Sequence, residues 1–391
     1  RKRTVLVLHT RAKDKKMQGT MAESEAHSHS EEFKWLRALK CSLSYIDDSD
    51  DSVLEIPEDD RIVIDEIVSK TTIRDAQRLR LILVDVFASL EALAHTRCSE
   101  SDEDSEEEKK DNSEPPMASS DSIATASLLL KIKDIVHGRV DLSRLFVAMV
   151  GIDFLLGCAR EQAAVPRPIR SACLSILNTL CEGVEAWNLS IQYKILNEEE
   201  GRLKELSAIF FAEEKSGEDY DGVIRGLIIR VASACIFGHC VAETKFVKSP
   251  NGRGIIESGL GVGKEGSPES TTPASLRKSS LLFLKNLILS KSSSDSRVET
   301  LRDCYVHVMR FALVPQTEPD NCIRQMAIEM LLMMMRHKVG MHLILEEGKQ
   351  VMAMGEKRVG EIISLDGEAR DTMNYELRLW QRLIGEILSA S

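Results

Sequence analysis

The feature that most limits what this chain can fold into is a stripe of apolar residues that returns four times in its second half. Counting from Ile169, apolar residues fall at offsets 0, 3, 4, 7, 8, 11 and 12: Ile169, Ala172, Cys173, Ile176, Leu177, Leu180 and Cys181. The same offsets from Ile224 give Leu227, Ile228, Val231, Ala232, Cys235 and Ile236. From Ile323 they give Met326, Ala327, Met330, Leu331, Met334 and Met335. From Leu276 they give Ser279, Ser280, Phe283, Leu284, Leu287 and Ile288, with two small residues suited to close packing. Steps of three and four keep side chains on one face of an α-helix, so each run predicts a helix with one continuous buried side. Offset 1 is arginine in all four: Arg170, Arg225, Arg277 and Arg324, spaced 55, 52 and 47 residues apart. A less regular copy starts at Ile123, where Lys131 and Asp134 fall on inward offsets.

Helical repeats of about 40–47 residues indicate an armadillo or HEAT solenoid, because one unit cannot bury its apolar face without its neighbours. The expected fold is therefore all-α, a right-handed solenoid of four to five repeats with flanking capping helices. Amphipathic runs between the stripes supply the other helices of each unit: Leu203, Leu206, Ile209 and Phe210, then Val298, Leu301, Tyr305, Val308, Met309 and Ala312. Pro166-Arg167-Pro168 and Pro319-Asp320-Asn321 stand where a proline and an Asx cap start two of the repeat helices. The longer spacings call for insertions, at 216–222 and in a Gly/Ser/Pro-rich stretch at 249–273. The organisation expected is a tail at 1–30, a helical cap at 31–97, an acidic loop at 98–122, repeats at 123–357 and closing helices at 358–391. In the last segment Met373, Leu377, Trp380, Ile384, Ile387 and Leu388 share one helical face.

Charge narrows the function. The chain is acidic, with net charge −11, and ten acidic residues fall between Cys98 and Ser122 against two lysines. That run, with Pro115-Pro116 and almost no apolar residue, reads as a solvated loop. A nucleic-acid binder needs clustered Lys and Arg, which this balance argues against. No stretch reaches the ~18–20 apolar residues of a membrane-spanning helix. Residues 1–20 lack the pattern of an export signal, and none of the nine cysteines forms a CxxC pair, so a cytoplasmic protein is expected. Cys235 and His239-Cys240 lack a second ligand pair at zinc spacing, so no metal is expected.

Catalytic motifs fail on inspection. Gly259-Leu260-Gly261-Val262-Gly263-Lys264-Glu265 superficially resembles a phosphate-binding loop, but Ser258 stands where a glycine is required and Glu265 where Ser or Thr must hold magnesium. The nine histidines are scattered, and no nucleophile elbow or metalloprotease pair occurs. Neither an enzyme nor a cofactor is expected. Of the methionines at helical spacing in 326–335, Met333 lies off the inward stripe and is the one candidate for a partner contact.

With the repeats placed, the chain resembles the armadillo-type nucleotide exchange factors of 70-kDa heat-shock chaperones. Three places carry the resemblance. Glu31-Glu32-Phe33-Lys34-Trp35-Leu36-Arg37-Ala38-Leu39 looks like the family's opening helix. Arg277-Lys278-Ser279-Ser280-Leu281-Leu282-Phe283-Leu284-Lys285-Asn286-Leu287 is similar to a basic, Ser- and Leu-rich repeat helix. Glu368 to Leu388, with Tyr375-Glu376-Leu377, looks like its closing helix. The acidic loop, the Gly-rich stretch and Val136-His137-Gly138-Arg139-Val140-Asp141 depart from the family's pattern. The resemblance implies a monomeric co-chaperone that grips the chaperone's nucleotide-binding domain and promotes ADP release. Lys278, Lys285 and Asn286 then become interface candidates. Arg170, Arg225, Arg277 and Arg324 are candidates too, although each is better suited to pairing with an acidic residue of an adjacent unit. The alternative is a general armadillo scaffold for a peptide or signalling partner. The tryptophans that such grooves use do not recur here at a repeat position, since Trp35, Trp187 and Trp380 are the only ones.

Overall fold

A computed structural model of the chain describes residues 73–100, 119–162, 164–183, 186–197, 201–217, 219–263, 272–291, 293–313 and 318–390. Among them are seventeen α-helices and no strand. Two lead helices, α1 (Ile73–Glu100) and α2 (Ser120–Val136), are followed by five three-helix units. The first unit is α3 (Val140–Met149), α4 (Gly151–Arg160) and α5 (Arg167–Cys181). The second is α6 (Ala186–Leu196), α7 (Arg202–Ser216) and α8 (Val223–Ile236). The third is α9 (Cys240–Lys248), α10 (Pro250–Leu260) and α11 (Ala274–Leu289). The fourth is α12 (Asp295–Thr300), α13 (Arg302–Leu313) and α14 (Asn321–Met334). The fifth is α15 (Lys338–Glu346), α16 (Gly348–Ile363) and α17 (Gly367–Ala390).

The third helices form one row. Starting from α2, each packs on the next through α5, α8, α11, α14 and α17, while the second helices α4, α7, α10, α13 and α16 make a row behind them. The four sequence stripes are thus four consecutive third helices. Their inward residues, among them Ile169, Ile224, Leu276 and Ile323, are buried in one continuous core. This is a helical-repeat solenoid. Side-chain hydrogen bonds between units repeat the same period: Gln192–His239, Lys285–Glu329 and Asn286–Ser233 join residues 47, 44 and 53 apart.

Helix starts follow from local chemistry. Asp320 caps α14, its Oδ1 accepting from the Cys322 and Ile323 amides at 2.9 and 3.2 Å. Ser119 and Ser249 do the same for α2 and α10, and Pro168 and Pro250 occupy first-turn positions where no amide partner is lost. Among the described residues no single helix is long and apolar enough to cross a membrane.

The structure corrects several boundaries. The Gly-rich stretch at 249–273 is not simply an insertion, because residues 250–260 form α10, the second helix of the third unit, with Ile255, Ile256 and Leu260 buried. Its glycines serve packing. A Cβ on Gly259 would lie 2.1 Å from Ser280 Oγ and 2.9 Å from Ile229 Cδ1, so only glycine lets α10 approach α8 and α11 this closely. Gly261 then ends the helix at φ 84°, a left-handed cap that side chains resist.

The 357/358 boundary cuts through α16, and α17 is the third helix of a full unit rather than a separate cap. The upstream copy is real but one residue out of register. Ile123 is 53% exposed, and the buried stripe of α2 runs Ser122, Thr125, Ala126, Leu129, Ile132 and Val136, leaving Lys131 and Asp134 outside. Residues 98–100 continue α1 and 120–122 open α2, so both ends of the expected acidic loop are helical. The rest of that run, the tail, and the Glu31–Leu39 motif lie outside the described residues.

Candidate partner-binding face

Each recurring arginine sits at the start of a third helix, where offset 1 points along the seam between units instead of into the apolar stripe. Arg170 is 1% exposed and ion-pairs with Glu213 of α7, which is 0% exposed; Gln162 donates to the same carboxylate at 2.6 Å. Arg225 donates through Nε to Asp219 at 3.1 Å, and that carboxylate also receives the Ile224 and Arg225 amides at 3.0 Å each. Arg277 holds Glu318 with two parallel bonds of 2.7 and 3.0 Å. Arg324 donates to the Glu318 and Pro319 carbonyls at 2.8 and 3.0 Å and approaches Glu376 of α17 at 3.4 Å. Arg358 takes the other Glu376 oxygen at 2.9 Å.

These arginines were candidates for partner contact, and their placement corrects that expectation. Their guanidinium groups are committed to buried or nearly buried carboxylates. Arg170, Arg277 and Arg324 bridge to the following unit, and Arg225 closes the loop of its own. Breaking a buried pair strands a charge at a cost of about 3–5 kcal/mol, so the seams favour staying closed. A further seam of the same kind lies between the first helices of units 3 and 4. There Arg297 pairs with buried Glu243 at 2.9 Å, while Ser290 Oγ at 2.7 Å and the Gly238 amide at 2.8 Å also bond to that carboxylate. Neither residue stood out in the sequence.

The free face of the third-helix row holds the remaining candidates. Lys278 Nζ lies 2.7 Å from Asp320 and Lys285 Nζ 2.9 Å from Glu329, both pairs partly exposed. Asn286 donates to Ser233 Oγ at 3.0 Å, which ties α11 to α8. Glu329 also accepts from the Tyr375 hydroxyl of α17. The Asp320 bond raises the Lys278 ammonium pKa. Partial burial pushes the Asp320 and Glu329 carboxyls up, but these bonds outweigh it and both stay below their ordinary values. Met333 is half-buried and packs against the core.

Offsets 6 and 13 turn most fully outward. Offset 6 carries Ser175, Arg230, Leu282 and Glu329 along successive helices, and offset 13 carries Glu182, Phe237, Leu289 and Arg336. Phe237, Leu282 and Leu289 are 39%, 42% and 49% exposed, an apolar centre in units 2 and 3. None of the three falls on an inward stripe position, and Leu282 enters only within the 277–287 motif. Offset 13 falls just past the inward stripe and is the signal that finds two of them.

Other features carry less. An open cleft of about 330 Å³ between α1, α2 and α3 mixes Asp75, Arg78, Lys131, Asp134 and Arg139. Cys235 is buried, and its bond to the Cys181 thiol together with burial pushes it well above an ordinary thiol pKa. His239 bonds Gln192 at 2.9 Å instead of turning to Cys235 or Cys240. No group of three metal-ligating side chains occurs among the described residues.

The sequence matches no protein-family model and no curated protein. In structure it is similar to two engineered proteins solved by the Northeast Structural Genomics Consortium. Each is 14% identical and covers 70% of this chain; the matches span 94% and 93% of those chains, with TM-scores of 0.46 and 0.45.

Proposed function

We propose that the protein is a non-enzymatic, monomeric co-chaperone of the cytoplasm that uses its third-helix face to hold a 70-kDa heat-shock chaperone in its nucleotide-releasing state. One observation carries the reading. The helix that resembles the exchange factors, residues 277–287, is α11, the middle member of the third-helix row, and it presents Lys278, Leu282 and Lys285 on the free face. A surface built across several rigid units spreads contact over a convex partner without bending itself. Such a protein promotes release by population shift: it must only bind the open nucleotide domain more tightly than the closed one.

The test is the rate at which labelled ADP leaves a cytosolic 70-kDa chaperone in excess unlabelled nucleotide. Substoichiometric amounts of this protein are expected to speed release. No acceleration at saturating protein rejects the reading. A general armadillo scaffold is the second reading, favoured by the exposed apolar centre Phe237–Leu282–Leu289, which suits many partners. Affinity capture with and without ADP separates the two, since only an exchange factor recovers the chaperone in a nucleotide-sensitive way.

A further inference from the structure

We propose that the outward positions of units 2 to 4 form a docking strip for an acidic segment with apolar anchors, supplied by a partner protein. The inference rests on the third-helix face being the binding surface, but not on which protein binds there.

The apolar part comes from Phe237, Leu282 and Leu289. Phe237 and Leu289 hold the same offset beside packed helices, so they stand about 10 Å apart. Leu282 and Leu289 are two turns apart on α11, again about 10 Å. Three anchors at that spacing match the side chains of a short segment, either helical or extended.

Charge decides what kind of segment. The carboxylates on the third-helix face of units 3 and 4 are engaged: Glu318 by Arg277, Asp320 by Lys278, and Glu329 by Lys285 and Tyr375. The cations around the anchors are not matched in this way. Arg230 lies at offset 6 of unit 2 and donates to Ser279 Oγ at 3.3 Å. Among the described residues, neither Arg230 nor Lys291, Arg336 or Lys338 meets a carboxylate. The C-termini of α11 and α14 offset part of this charge, each with about half a negative charge. Asp295, whose Oδ1 accepts the Val339 amide at 3.3 Å, stands beside Lys338 at the start of α15 and offsets that charge; Lys291 past the first of these ends and Arg336 past the second leave a positive surplus together with Arg230. Arg230 sits in the middle of α8, away from both ends of that helix. In a chain of net charge −11, this surplus beside exposed apolar side chains selects an acidic occupant and repels a basic one.

The test is fluorescence anisotropy on the full chain with a labelled peptide of about twelve residues, rich in Glu and carrying three leucines. Two control peptides replace the leucines by Ser or the glutamates by Lys. The Glu/Leu peptide is expected to bind, and both controls at least about tenfold more weakly. Phe237→Ala with Leu289→Ala, and separately Arg230→Glu with Arg336→Glu, are each expected to weaken binding about tenfold while the melting temperature holds. These side chains are exposed, so the variants are expected to fold. Equal binding of the controls, unchanged binding by the variants, or no binding overturns the proposal. Dimerisation of the chain that the same variants abolish assigns the strip to a second copy and also overturns it. ADP release accelerated without peptide binding sinks the strip alone, and peptide binding without ADP release sinks only the chaperone reading.

Discussion

Two sets of ion pairs join neighbouring units of this solenoid, and they differ in where they sit. Arg170–Glu213 and Arg277–Glu318 lie in the seams, with their carboxylates fully buried. Lys278–Asp320 and Lys285–Glu329 span comparable sequence separations but lie on the free face, in contact with water. The bond type is nearly the same, and the consequence is not. In the seam a lost partner leaves a charge with nothing to solvate it, whereas on the face water replaces it. Seams therefore fix the shape of the stack, while the face can change its side chains without loosening it.

The largest effect is expected in the seam. Arg170→Ala is expected to destabilise the protein by about 3–5 kcal/mol in urea melts, because Glu213 stays buried and loses its cation. The volume-conserving pair Arg170→Met with Glu213→Leu is expected to recover most of that loss, since no charge is then stranded. A loss below about 1 kcal/mol in the single variant would place the seam with the surface pairs.

A middle-sized effect is expected where units touch without charge. Gly259→Ala forces a Cβ against Ser280 Oγ and Ile229, an overpacking of about 1–3 kcal/mol readable by thermal melting. Ser280→Ala in the same chain is expected to relieve part of it. A melting temperature unchanged by Gly259→Ala would mean that α10 does not approach α8 and α11 so closely.

The smallest effect belongs to the face. Lys285→Ala is expected to cost no more than about 1 kcal/mol at neutral pH, because both partners are partly exposed. Its pH dependence has a definite sign. The Glu329 carboxyl is lower in the folded protein than its ordinary value, so its contribution is present above that value and fades as pH falls through the folded one. Wild type and variant should therefore differ most above the ordinary carboxyl value and converge once pH falls below the folded one. A gap that widens on acidification would contradict the assignment.

How much of this was legible beforehand follows from periodicity. The apolar stripe and its arginines recur at fixed offsets, so the sequence exposes them directly. Their carboxylates recur only in part. Asp219 and Glu318 each stand in a loop six residues before a recurring arginine, Arg225 and Arg324, whereas Glu213 ends a second helix and Glu376 belongs to the next third helix. The seam partners of Arg170, Arg277 and Arg324 thus come from different elements, and no single offset links all four arginines to their carboxylates. The third-unit helix α10 was hidden for the opposite reason: Pro250, Gly252, Gly254 and Gly259 look like loop chemistry, yet Pro250 is a first-turn residue and Gly259 permits a close crossing. Ile123 shows how a stripe slips when its inward positions include Ser122 and Thr125, which are polar by type but buried. Phe237 and Leu289 escaped because they are apolar residues just beyond the stripe, and apolarity alone does not distinguish an anchor from core.

The seams hold the stack, and the third-helix face is the surface proposed to bind the chaperone. The measurement that tests this most directly is chaperone ADP release in the presence of Leu282→Glu, compared with wild type at equal melting temperature. Leu282 is exposed and takes no part in a seam, so the variant is expected to melt as wild type does. Under the proposed function, wild type is expected to accelerate release and Leu282→Glu is not. Equal acceleration by the two, or none by wild type, would contradict it.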